Sequence, residues 1–95
     1  MNCNDGISQI SLYLISMPTL LVLYGFRFFF YSNEGNEPPH IHVVKGNSNG
    51  KIWLEPDIAI AYLHGFNASE GKQIREITME HAGIFKNKWH EYFGK

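Results

Sequence analysis

The 95-residue chain is long enough for one compact domain and too short for two, because domains commonly contain about 100 to 150 residues. Its composition is 44% hydrophobic, 15% aromatic and 18% charged, which is typical of a globular protein and excludes a disordered chain. The net charge of −1 argues against a protein dedicated to neutralising nucleic-acid phosphates, without excluding a local basic patch. The single cysteine, Cys3, excludes an internal disulfide.

Residues 7 to 26 carry no charged side chain, and a stretch of this length could span a bilayer. It is nevertheless interrupted by serines and a central Pro18, and no Lys or Arg precedes it. We therefore expect no membrane segment. We expect residues 1–16 to be an N-terminal extension and residues 17–95 to form one α+β domain.

Strand patterns follow in chain order. An aliphatic and aromatic run covers residues 20–23 and 26–31, and Gly25 between them suggests a bulge or bend. Further strands are predicted at 40–45, 51–55 and 58–63, with a hairpin loop at 46–50. The segment 32–39 must be irregular, because Pro38 and Pro39 cannot donate to a ladder. These patterns predict an antiparallel sheet of three to four strands.

The rest of the chain is predicted to be helical. Asn67 and Glu70 have the spacing of a capping box, and the apolar residues that follow recur at helical intervals. Gly83 lies in the middle of this region, and the sequence leaves open whether it divides the helix. One or two helices packed on the sheet give a small two-layer α+β domain.

Several short motifs resemble one bacterial family, the domain of unknown function 4160. They are Met17-Pro18-Thr19, Tyr24-Gly25, Phe30-Tyr31, Glu37-Pro38-Pro39-His40-Ile41-His42-Val43 and Trp89-x-Glu91-x-Phe93. The resemblance covers residues 17–95 and implies a small cytoplasmic protein, often encoded beside a small partner protein as in a toxin–antitoxin-like pair. Many members carry a further histidine shortly before the two prolines, and this chain has Glu34 and Gly35 there.

The Pro-Pro-His-x-His segment is the main candidate for chemistry. His40 and His42 are two residues apart on a predicted strand, so their rings project from one face, roughly 6.5 to 7 Å apart along the strand. Two imidazoles at this spacing can share a divalent metal ion such as zinc, which needs at least a third protein ligand. The candidates for that ligand are Glu34, Glu37, Glu55, His64 and His81.

Two other roles for the histidines stay open. His40 could satisfy the backbone of the Pro-Pro turn, with His42 packed beside Trp53 or Tyr31. His42 could instead act as a general acid or base, but no activated nucleophile is evident near it in the sequence.

The pairing of the third and fourth predicted elements decides which residues share the histidine surface. A five-residue loop pairs Ile41 with Glu55, whereas a one-residue slip pairs His40 with Glu55 and His42 with Trp53. We favour the second register. It predicts a candidate functional face made of His40, His42, Arg27, Trp53 and Glu55, with His40 and His42 as metal ligands.

These observations favour a protein-interaction module, one half of a toxin–antitoxin-like or regulatory pair, whose partner is a small protein encoded nearby. The alternative is a small metal-dependent hydrolase or nuclease that uses the His-x-His segment. A homodimer is compatible with either role. Nucleic-acid binding through Arg27, Lys45, Lys51 and the aromatic residues of the sheet is a weaker third expectation.

Overall fold

The computed structural model describes residues 17–94, so the predicted extension at residues 1–16 lies outside the described residues. Five strands form one antiparallel sheet in the order of the chain, and two helices follow. The strands are β1 (Thr19–Leu23), β2 (Phe26–Phe29), β3 (His40–Lys45), β4 (Ser48–Trp53) and β5 (Ala59–His64). The helices are α1 (Ala68–Glu80) and α2 (Ala82–Phe93).

The α+β class is confirmed, and the sheet has one strand more than the three to four predicted. The extra strand arises at Tyr24-Gly25, which is a tight turn and not a bulge. Tyr24 has φ 53° and Gly25 has φ 83°, the pair of left-handed conformations that reverses the chain in two residues. Arg27 consequently pairs back with Val22 across the β1–β2 hairpin.

The helical region begins at the predicted capping box. Asn67 Oδ1 accepts from the Glu70 amide at 2.7 Å, and Glu70 Oε1 accepts from the Asn67 amide at 3.0 Å. The helix does break, but at His81 and not at Gly83. His81 has the non-helical angles φ −109° and ψ 12°, and its ring lies 2.9 Å from the Ile77 carbonyl oxygen.

Both predicted registers of β3 and β4 were wrong. The strands are joined by the two-residue turn Gly46-Asn47, and His40 pairs with Trp53 while His42 pairs with Lys51. Gly50, expected in the loop, lies inside β4 for a packing reason. A Cβ at this position would lie 2.5 Å from Leu63 Cδ2 and 3.0 Å from the Tyr62 carbonyl oxygen, so glycine allows β5 to approach.

The two faces of the sheet differ in chemistry. One face packs against the helices in the core cluster, which includes Phe26, Phe28, Ile41, Val43, Ile52, Leu54, Ile74, Ile77 and Phe85. Alternate residues of β2, β3 and β4 project to the other face, which we call the histidine face. It carries Arg27, Phe29, His40, His42, Lys51 and Trp53. Among the described residues, no helix is long and apolar enough to cross a membrane.

Candidate functional site

Three potential metal ligands converge at the start of β3. One ligand atom from each of Glu34, His40 and His42 lies within 4.8 Å of the other two. His40 Nε2 and His42 Nε2 each lie 3.0 Å from Glu34 Oε1, and His42 Nε2 lies 3.1 Å from Oε2. The carboxylate therefore faces both imidazoles at once.

Glu34 is held in this position by the turn that follows β2. The Tyr31 amide donates to Glu34 Oε1 at 3.1 Å, and the Glu34 amide donates to the Tyr31 carbonyl at 3.2 Å. The Glu37 amide then donates to the Glu34 carbonyl at 3.1 Å. Since these bonds tie the side chain and the backbone to one turn, the carboxylate has little freedom to leave the histidines.

The two ring nitrogens of His40 differ in their contacts. Its Nδ1 lies 2.9 Å from the Pro38 carbonyl oxygen, which can only accept, so the proton is on Nδ1. In the neutral ring the lone pair is then on Nε2, which is fully buried and has no hydrogen-bond partner among the described residues. Although Glu34 Oε1 is 3.0 Å away, its direction does not fit a hydrogen bond. A buried lone pair that faces a carboxylate oxygen is repulsive, and a cation bound between them removes the repulsion.

Aromatic rings fix both imidazoles. The His40 ring lies between Trp53 and Trp89, with ring centroids 5.4 and 4.9 Å away. The His42 ring stacks on Phe29 at 5.6 Å and meets the edge of Tyr31 at 4.9 Å. His42 thus packs beside Tyr31, and both imidazoles are enclosed by aromatic rings.

The electrostatics of the pair are set by burial and mutual contact. Loss of hydration lowers the pKa of His42 below its ordinary 6.5. The Glu34 carboxylate opposes this shift, and the charges of His40 and Lys51 add to it. For Glu34, burial alone raises the pKa, but the hydrogen bond and charge of His42, the Tyr31 amide and the contact with His40 outweigh it and leave the pKa below its ordinary 4.5. Near neutral pH the site therefore holds a carboxylate and a neutral His42, which donates to it from Nε2. A metal ion bound at Nε2 would displace this proton.

These two pKa shifts predict how acid affects the metal-free fold. As the pH falls below 6.5, the unfolded chain protonates at His42 before the folded chain does, and below 4.5 the same holds for Glu34. The unfolded state binds more protons in both windows, so the free energy of unfolding falls from pH 7.5 to pH 4. Urea denaturation in a chelator at several pH values measures this, and His42→Gln flattens the upper window. Constant stability of the unsubstituted chain between pH 7.5 and 5 contradicts the prediction.

Comparison with known proteins places the chain in a family. The family model described as Domain of unknown function (DUF4160) matches residues 25–90, well over half of the chain. The chain belongs to this family. No curated protein and no solved structure matches it.

Of the other predicted members of the functional face, Trp53 contacts a proposed ligand, whereas Arg27 and Glu55 are bonded elsewhere. Arg27 projects from the histidine face, but it donates to Thr19 Oγ1 at 2.7 Å and to the Met17 carbonyl at 3.1 Å. Trp53 contacts the His40 ring directly. Glu55 is not beside the histidines as the favoured register predicted, because its Oε2 lies 2.9 Å from His90 Nε2. The carboxylate beside the two histidines is therefore that of Glu34 and not that of Glu55.

The remaining candidates for a third ligand are engaged elsewhere. Glu37 pairs with Lys51 at 2.8 Å, His81 contacts the Ile77 carbonyl, and His64 stacks on Tyr62 with centroids 4.8 Å apart. Glu34 was one of five candidates in the sequence, and no spacing rule singled it out. Two histidines and a carboxylate form a ligand set that suits zinc and related divalent ions. The bond from His40 Nδ1 to a backbone carbonyl is the outer contact that metal-binding histidines commonly make.

Proposed function

We propose that the chain binds one divalent transition-metal ion through Glu34, His40 and His42, and acts as a small metal-dependent hydrolase. One observation carries the proposal: the buried Nε2 of His40 faces the Glu34 carboxylate at 3.0 Å with no hydrogen bond between them. Native structures rarely leave a buried nitrogen without a partner. A metal ion satisfies His40 Nε2, His42 Nε2 and the carboxylate together.

Hydrolysis is favoured by the number and exposure of the ligands. Three protein ligands leave a fourth tetrahedral position, which catalytic zinc sites give to water or substrate. Whereas His40 is fully buried, the side chains of Glu34 and His42 are 16% and 11% exposed, so the site opens on their side. A divalent ion in such a site lowers the pKa of bound water and polarises a substrate oxygen.

Metal content of the purified, untagged chain tests the proposal. After incubation with zinc, manganese or nickel and removal of the excess, the unsubstituted chain retains about one ion per chain. Glu34→Gln, His40→Ala and His42→Ala each lose it, and His64→Ala, a histidine outside the site, retains it. Circular dichroism separates loss of metal from loss of fold. If the unsubstituted chain holds no metal, or the folded His40→Ala variant keeps it, the proposal is wrong.

We also propose, from the sequence, that the chain binds a partner protein. The sheet has two edges, and Val22 in β1 and Tyr24 in the following turn are 64% and 68% exposed. An unpaired edge of this kind can accept a strand from another protein. Co-purification with the small protein encoded nearby measures this role, which is compatible with a metal site on the histidine face.

A further inference from the structure

Lys51 is the cation that stands beside the proposed metal site. It pairs directly with His42 across β3 and β4, so both side chains project from the histidine face. The Lys51 side chain is only 16% exposed, whereas most lysine side chains in proteins are exposed to solvent.

The Lys51 ammonium is held in place by two contacts of different strength. Its Nζ lies 4.3 Å from the centroid of the Trp53 ring, and it lies 2.8 Å from Glu37 Oε1. Glu37 is 43% exposed and sits in the irregular segment before Pro38. Ion pairs with an exposed partner contribute little stability, so a ligand anion can replace the Glu37 carboxylate while Trp53 keeps the ammonium positioned.

The charges at the site favour an anionic ligand. With Glu34 ionised and both imidazoles neutral, a bound divalent ion gives the three-ligand centre one net positive charge. The Lys51 ammonium adds a second positive charge once Glu37 is displaced. A phosphate group matches two neighbouring cations, because one of its oxygens can bind the metal while another accepts from the ammonium.

The same tryptophan also lines a groove that suits the organic part of such a ligand. Pro38, Trp53, Pro56 and Ala59 form its apolar wall, and Glu55 and Asp57 lie at its polar margin. Pro38 and Trp53 are therefore shared by the groove and by the surroundings of His40. An apolar or aromatic group attached to the phosphate can pack against the indole there.

We propose that Lys51 is the anion-binding residue of this site and that the ligand class is the phosphate esters. The inference rests on the proposed metal-dependent function, for which it names the substrate. In the absence of phosphate the Glu37 carboxylate pairs with the Lys51 ammonium, and it competes with phosphate for that ammonium.

Binding of inorganic phosphate to the full chain loaded with one equivalent of metal tests the proposal. Calorimetry of Lys51→Gln should show phosphate affinity reduced about tenfold or more, the effect of losing one charge-assisted hydrogen bond. Glu37→Gln should bind phosphate more tightly than the unsubstituted chain does, since the competing carboxylate is gone. All variants should retain one metal ion per chain, because neither residue is a ligand.

Lys45→Gln is the matched control. Lys45 is also a strand lysine that pairs with a glutamate, Glu70 at 3.5 Å, and lies over an aromatic ring, Phe26 at 4.8 Å, but it does not pair with His42. Its substitution changes the net charge equally and should leave phosphate affinity unchanged. Metal-loaded protein that binds phosphate equally well with Lys51→Gln overturns the inference and leaves the metal site intact. An unsubstituted chain that holds no metal overturns the metal site and the inference together.

Discussion

Zinc should stabilise the folded chain by about 4 kcal/mol when its free concentration is about 1,000 times its dissociation constant, provided that the unfolded chain does not bind it. The reason is that the three proposed ligands, Glu34, His40 and His42, converge in the folded state. Selective binding of zinc to that state would add its binding free energy to the free energy of unfolding. The effect is large for a domain of this size, whose stability is commonly about 5 to 15 kcal/mol.

Urea denaturation with and without zinc measures this increment. The two tryptophans that flank His40 make intrinsic fluorescence a direct reporter of the site and of the fold. His40→Ala should be less stable than the unsubstituted chain and should gain almost nothing from zinc. His64→Ala, which removes an exposed histidine, should gain the full increment. An equal gain in His40→Ala would mean that zinc binds elsewhere on the chain.

Local signals in the sequence predicted most of the helical and strand content. The capping box at Asn67 and Glu70 formed as expected, because both partners lie within one turn. The extra strand could not be predicted in the same way. Tyr24 adopts φ 53°, a left-handed conformation that bulky residues rarely take, and so the sequence carries no strong turn signal there.

The register of β3 and β4 shows where local reasoning ends. All residues from 46 to 50 are common in loops, yet only Gly46 and Asn47 form the turn. Gly50 is in the strand because Leu63 and the Tyr62 carbonyl approach it from β5. That contact joins positions more than ten residues apart, and so neither composition nor spacing contains it.

The sequence predicted the two histidines of the candidate site but not its carboxylate. The spacing of His40 and His42 places both on one strand face, and the structure brings their Nε2 atoms to one carboxylate. The choice of Glu34 over Glu37 and Glu55 depends on the turn that links its side chain to the Tyr31 amide. The proposed ligand set is therefore two histidines and one glutamate.

The packing of α2 connects the stability of the domain to the geometry of the site. Trp89, 1% exposed, contacts Phe30 and Phe93 with ring centroids 5.3 and 4.4 Å away, and its ring lies 4.9 Å from His40. One side chain from the C-terminal helix thus packs both against Phe30, which follows β2, and against a proposed ligand. A change at Trp89 should therefore affect folding and metal binding together.

Trp89→Ala should lower the free energy of unfolding by about 3 to 5 kcal/mol, because it removes a large buried ring and leaves a cavity beside Phe30 and His40. Trp89→Phe retains part of the ring contact and should cost less. Trp53→Ala is the matched control, since Trp53 also contacts His40 but is only half-buried. Urea denaturation in a chelator gives the three stabilities, and a zinc titration of each folded variant gives its affinity.

The two measurements separate packing from coordination. Because the His40 ring loses the wall that holds Nε2 toward Glu34, zinc affinity should fall in Trp89→Ala even under conditions where the variant is folded. Trp89→Phe should recover affinity and stability together. If Trp89→Ala is destabilised but binds zinc as tightly as the unsubstituted chain, His40 is oriented by the Pro38 carbonyl and Trp53 alone, and α2 serves the fold without serving the site.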